Sequence, residues 1–469
     1  MTGSKADIIL RSIDRVKFKA HKSILSPASP IFKDMFDVGD EKVSTPEGTP
    51  PDEDHLPIVD FTETHRVLHQ IIYHCYPVEG ERVKIRNLSE LAAVFAAAAK
   101  YDMQNTILTL GDSLEQFKKS HPLQVFALSC RYGLEHLAQA SAQNWRTSLP
   151  SRFIESSKVP HGLWKHITIA SCFVPEMDGM HAGAFYRLVQ YLRTGDQVKF
   201  SKSTILNGAS RGSNLTFQMT QYPDADIEVQ SYHSQTTFFQ VHKVVLSTSS
   251  PALMQLIDDM PSSEGLPTLR LHEYDHILQI ILASCYPSML TDMPSPALAD
   301  LPEIVSAAKK YRLTNLIEIC RQSIAAQTIT DPLKAYLVAA ECGWKAEARN
   351  AAVRLAQRAL ESQYSSYLEI TDTAVYFPLL KFCHEYRQVI FKLTGGCKGR
   401  SPKEMWAEAE WCCDGMTGDA SNLAWAIAMY LMESGYNRKW SELKTLREKL
   451  LTQLEQVQLE MSWPDDTSG

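Results

Sequence analysis

The stretch "FKAHKSILSPASPIF" at residues 18–32 decides the fold, because the chain writes it twice: "FQVHKVVLSTSSPAL" stands at residues 239–253. Phe18, His21, Lys22, Leu25, Ser29 and Pro30 fall in register with Phe239, His242, Lys243, Leu246, Ser250 and Pro251. Six matches in a fifteen-residue window, at unchanged spacing, mark an internal repeat and not a coincidence of composition. The local chemistry is readable in each copy. Phe18 and Ala20 alternate with Lys17 and Lys19, as in a strand with one buried face. Ser29 before Pro30 is a helix start, since the hydroxyl caps free N–H groups and proline lacks the N–H that would go unpaired there. Ser250-Pro251 repeats it.

The match extends outward. "ADIIL" at 6–10 corresponds to "ADIEV" at 225–229, each an alternating run of strand type. From "LP" at 56–57 and 266–267 the register holds without a gap to about residues 133 and 343. Within it Leu68, Ile71, Cys75, Tyr76 and Pro77 match Leu278, Ile281, Cys285, Tyr286 and Pro287, while Lys100 and Tyr101 match Lys310 and Tyr311. Each copy therefore reads strand, strand, helices, strand, helices. Val67, Leu68, Ile71, Ile72 and Cys75 follow helical spacing up to Pro77, and "LSELAAVFAAAAKYDM" at 88–103 predicts a further helix. The first copy carries eleven extra residues within "DVGDEKVSTPEGTPPDED" at 37–54, whose Pro, Gly and acids predict a flexible, solvated loop. A Ser/Gly/Asn-rich stretch over 201–220 reads as the linker between halves, and helical extensions are expected over 119–200 and 329–469.

Composition narrows the function. The 469 residues are 44% hydrophobic and 22% charged, with a formal net charge of -7. Basic residues are scattered among acids, whereas a nucleic-acid binder would need a basic stripe to neutralise phosphates. No apolar run reaches the roughly 20 residues that span a bilayer, so no membrane partner is expected. The ten cysteines include no CxxC pair, which points away from a disulfide framework and toward a reducing compartment, the cytoplasm or nucleus.

The acid and apolar alternation of the first strand, then F-x-x-H-K-x-x-L, then S-P-x-[FL], then a helix ending in Tyr before a turn, resembles the BTB/POZ family in both halves, over 1–118 and 221–328. Cys-Tyr-Pro after the long helix is similar to the BTB proteins expanded in mushroom-forming fungi, and the helices behind each copy resemble a BACK-type extension. The resemblance implies an α+β fold of two modules, each a small sheet flanked by helices and followed by an all-α extension. It also implies binding to other proteins, with a scaffold role first and a cullin-RING ubiquitin-ligase adaptor as the alternative. Only a few residues precede the first strand, too few for the N-terminal helix that many BTB dimers exchange, so the two copies are expected to pack on each other or act separately and not to form a swapped homodimer. The family's cullin-binding motif, apolar-x-Glu, finds its nearest fit around Met35 and Phe36, at Val38-Gly39-Asp40, so the resemblance makes Met35, Phe36, Val38 and Asp40 the candidate partner-binding residues.

Residues that invite a chemical reading have plainer ones. His21, His242, Asp7 and Asp226 recur in both copies and read as structural hydrogen-bonding groups, the acids needing a partner if buried. "GASRG" at 208–212 fits the hydrolase pattern G-x-S-x-G with Ser210 as nucleophile, but lacks the flanking strand and helix the elbow requires. His65 and His69 share a helix face, yet no Glu follows His65 and the second copy has Asp275 and Gln279 instead. Cys412-Cys413 with Cys397 and His384 make no credible zinc set, so neither metal nor cofactor is expected. Finally, Leu443, Leu446, Leu450, Leu454, Val457 and Met461 form one stripe near the end of the chain, expected to dock on its own protein, with a short partner helix as the alternative.

Overall fold

The structure is a computed structural model that describes residues 6–41, 56–76, 85–149, 173–201, 222–260, 266–287, 296–356, 364–393 and 440–460, apart from 197, 223, 235 and 236. Its chain divides into two compact units. One holds residues 1–150, 174–180 and 190–201, and the other holds 151–173, 181–189 and 202–469. Residues 181–189, which the sequence places in the first extension, thus group with the second unit.

In the first unit β1 (Ile8–Arg11) pairs antiparallel with β2 (Lys17–Ala20) and parallel with β3 (Ile58–Asp60), giving the order β2-β1-β3. Ile8 faces Ala20, and Ile9 faces Ile58. The alternation works as the pleat demands: Ile8, Leu10 and Ala20 are buried, while Lys17 and Lys19 stay exposed on an edge strand. Helices α1 (Lys22–Ala28) and α2 (Pro30–Glu41) follow, then α3 (His65–Cys75), α4 (Leu88–Lys100), α5 (Gln104–Glu115), α6 (Pro122–Arg131) and α7 (Glu135–Ser148). Helix α2 runs to Glu41, five residues into the stretch expected as loop. Asp37–Glu41 contains no proline, and the first helix-breaking Pro46 comes later. The remainder of that stretch lies outside the described residues.

The core is aromatic at its centre. Phe32, buried completely, lies 4.8 Å from the Tyr101 ring and 5.8 Å edge-on to Phe61, with Leu25, Leu68, Ile71, Leu91 and Phe95 packed around them. Burial of a side chain of this size contributes about 2–3 kcal/mol against exposure.

The second unit repeats the plan. β4 (Ile227–Ser231) pairs antiparallel with β5 (Phe238–Val241) and parallel with β6 (Thr268–Leu271), in the order β5-β4-β6 and in matching register, with Ile227 opposite Val241 and Glu228 opposite Thr268. Helices Lys243–Ser249, Pro251–Asp258, Asp275–Ser284, Leu301–Lys310, Thr314–Thr330, Pro332–Glu341 and Lys345–Ala356 correspond in order to α1–α7. Gly133 and Gly343 take the same left-handed φ, 74° and 77°, where Leu134 N–H and Trp344 N–H reach back to the carbonyls of Ser129 and Ala339 and close the helix end.

The last described helix, Trp440–Gln456, docks on the second unit, burying Leu450, Leu454 and Val457. Its end is held by Arg349, whose guanidinium donates to the carbonyls of Val457 at 2.5 Å and Glu455 at 3.1 Å and lies over the Phe382 ring. Leu450, Leu454 and Val457 of the expected stripe are therefore a docked face; the side chains of Leu443 and Leu446, and Met461, lie outside the described residues.

Candidate functional site

Each copy builds one hydrogen-bonded clamp from its repeated residues. Asp7 sits just before β1, and its Oδ1 accepts the Lys22 N–H at 2.8 Å, tying the strand to the first turn of α1. Asp226 does the same for Lys243 N–H at 2.7 Å. At the strand-to-helix turn the Tyr76 hydroxyl accepts the His21 N–H at 2.9 Å and lies 2.8 Å from Nδ1. Tyr286 and His242 repeat the pair at 2.9 and 3.0 Å, and His242 Nε2 lies 3.4 Å from the Asp224 carboxylate. Burial raises the Tyr76 phenol and carries Tyr286 to about 12, so both hydroxyls keep their protons.

The Ser29 hydroxyl, completely buried, accepts the Phe32 N–H at 3.1 Å and donates to the Tyr101 carbonyl at 2.6 Å. Ser250 accepts from Leu253 at 3.0 Å and donates to Tyr311 at 2.5 Å. One side chain thus caps α2 and joins it to the end of α4, with Pro30 as the first helical residue. Leu25 and Leu246 fill the space beneath at zero exposure.

A further anchor was missed in the sequence. Glu63 accepts from Lys100 Nζ at 2.8 Å and from the Tyr101 hydroxyl at 2.6 Å, and Glu273 accepts from Lys310 and Tyr311 at 2.8 and 2.7 Å. Burial pushes both carboxyls up, but these donors outweigh it and hold them below the ordinary range. The signal was available: "FTET" and "LHEY" keep a glutamate at the same distance from the repeated Lys-Tyr.

The side chains expected to meet a partner divide. Phe36 is buried and stacks on Phe32 at 6.1 Å, inside the core; Met35 is half-buried and packs against the edge of the same core. A contact through Phe36 is corrected to a packing role, because on a helix that buries Phe32 the position four residues later faces the same core. The backbone of Val38 and Asp40 is helical, and their side chains lie outside the described residues.

Exposed apolar groups occur in both copies, among them Ile13 and Leu108 in the first, but the second presents a different group of them. Val244, Met254 and Leu256 are 68%, 42% and 39% exposed where the first copy has Ser23, Lys33 and Met35. At the turns after β4 and β6, Tyr232 stacks on His272 and His233 on Tyr274, each pair with rings 4.4 Å apart, where the first copy has Ile13, Thr62, Asp14 and Thr64.

His65 and His69 do not converge on a common ligand: His65 pairs with Asp14, and His69 packs against Phe18. Among the described residues no group of three or more His, Cys, Asp or Glu is placed to hold a metal ion, and no helix is long and apolar enough to cross a membrane. Ser210, Cys397, Cys412 and Cys413 lie outside the described residues.

With this geometry in view, the family follows. The model of the BTB/POZ domain matches residues 2–118 and again 214–328. The chain belongs to the BTB/POZ family, carrying its α+β domain twice in tandem, and such domains are protein-interaction modules. No curated protein matches the chain.

Proposed function

We propose that this chain is a non-enzymatic scaffold that binds other proteins through two BTB/POZ modules, with the second copy presenting the principal contact surface. The observation that carries the reading is the division of labour among side chains. The repeated Asp, His, Ser and Glu residues are engaged in holding the fold, while Val244, Met254, Leu256, Tyr232 and Tyr274 stand exposed on the second copy. Exposed apolar and aromatic groups of this kind are the usual energetic centres of protein interfaces. Among the described residues six cysteines stay as thiols, five of them buried, which suits a reducing compartment, the cytoplasm or nucleus.

A cullin-ligase adaptor is the second reading. It draws on the extension of α2 to Glu41, which places Val38-Gly39-Asp40 on a helix beside half-buried Met35. Purified full-length chain tested against the cullin that BTB adaptors use, beside Met254→Lys/Leu256→Lys and a deletion of residues 42–54, separates the two. The scaffold reading expects no cullin retention, together with self-association or partner binding that Met254→Lys/Leu256→Lys abolishes. Cullin binding lost on the deletion establishes the adaptor instead.

A further inference from the structure

Glu369 ends the short 3-10 turn Ser366–Glu369 and is completely buried. An isolated buried carboxylate costs several kcal/mol, so what surrounds it is decisive. Two of its partners come from far back in the chain. Arg187 grips it with both terminal nitrogens, Nη1 on Oε1 and Nη2 3.1 Å from Oε2, and His181 Nδ1 lies 3.4 Å from Oε2. The Tyr364 hydroxyl completes the set at 2.8 Å from Oε1. Although burial pushes this carboxyl up, Arg187, then Tyr364 and His181, hold it below its ordinary value.

The first turn of helix Ala182–Thr194 rests on the same carboxylate. A Cβ at Gly183 would stand 2.6 Å from Cδ and 2.7 Å from Oε2 of Glu369, so only glycine lets the helix come this close. The approach sets the positive end of the helix against the charge. Around this centre the Ala182 N–H donates to the Thr371 carbonyl at 2.8 Å, His181 bridges Asp372, Phe173 and Phe185 pack on Phe377, and Tyr186 lies against Tyr364.

We propose that residues 181–189 act as an intramolecular ligand of the second unit: the buried Glu369 carboxylate recognises a helix that carries glycine in its first turn and arginine one turn later. This goes beyond the scaffold reading and does not depend on it. The extension behind the second BTB module is then complete only when a helix from the preceding extension is seated on it, and the chain between 189 and 226 need not be intact for it to stay there.

The test begins with the full-length chain, carrying a protease site placed within residues 208–212, purified folded and then cut. The two pieces are expected to co-elute on gel filtration at micromolar concentration. Arg187→Glu, which sets two carboxylates against each other, and Gly183→Val, which lifts the helix off the charge, should each weaken the association of the cut pieces by roughly a hundredfold. The exposed substitution Leu108→Ser should leave it unchanged. Should Arg187→Glu or Gly183→Val fail to fold before cleavage, the near-isosteric Glu369→Gln takes its place with the same expected direction. Separation of the cut parent pieces, or undiminished association in the variants, overturns the proposal.

Discussion

Replacing Ser29 with alanine removes an oxygen that serves two elements at once, and the consequence can be worked from its bonds. The Phe32 N–H loses its cap, worth about 1 kcal/mol in comparable helices. The Tyr101 carbonyl, left unpaired in a buried site, costs about 1–3 kcal/mol more. Together the loss is about 2–4 kcal/mol, a large part of the roughly 5–15 kcal/mol that holds an ordinary domain folded. With a urea dependence of about 2 kcal/mol per molar, the unfolding midpoint of the first copy should fall by about 1–2 M. Hydrogen exchange across a urea series reads the two copies separately, through peptides covering 22–41 and 243–258. Ser29→Ala should collapse protection in the first set and leave the second intact, and Ser250→Ala should do the reverse. A midpoint shift below about 0.3 M in the copy carrying the change would refute the assignment of the hydroxyl as a structural bridge.

Other outcomes follow from single environments. Burial pushes the Cys75, Cys320 and Cys342 thiols up to about 12, so at pH 8 alkylation of each in the folded chain should run about a thousandfold slower than in the unfolded chain; peptide mapping that shows free-thiol rates at any of them contradicts this. Hydrogen bonds from Ser12 and then His65 hold the Asp14 carboxyl at about 2. A depressed carboxylate stabilises above its unfolded pKa and loses that contribution as pH falls through the folded one, so the Asp14–His65 tie should be lost between about pH 4 and 2; a carboxyl NMR titration with a midpoint near 4 would count against it. Arg349→Ala uncaps the helix Trp440–Gln456 and should cost about 1.5–3 kcal/mol there, seen as at least tenfold faster amide exchange across 446–456, with unchanged exchange the contrary result.

Much of the fold is legible because its devices are local. Ser29-Pro30 announces a helix start from two adjacent residues, and Ile8 and Leu10 declare a buried strand face by alternation alone. Repetition then does what no alignment was needed for: a residue kept in both copies at fixed spacing, as Glu63 and Glu273 are, is held by geometry. What escaped lies where physics acts at long range. Nothing near Glu369 says that its partner is Arg187, since the pair meets only after the chain has folded. Phe36 was offered to a partner because a phenylalanine beside a motif is attractive, yet the helical step from buried Phe32 turns it inward. The boundary of α2 moved because acids and a single glycine mark a loop by composition without preventing a helix.

The two sheets share a register but differ in how their outer strands meet the surroundings. β2, "KFKA", displays Lys17 and Lys19, charges that discourage another strand from adding to the row of open amides and carbonyls. β5, "FFQV", has no charge, and Phe238 at its start is 40% exposed. The second module therefore lacks the gatekeepers of the first on this strand, which leaves β5 more open to intermolecular β-pairing than its counterpart β2. Solubility at high concentration should depend on that one strand, and a lysine at Phe238 is the least invasive way to protect it.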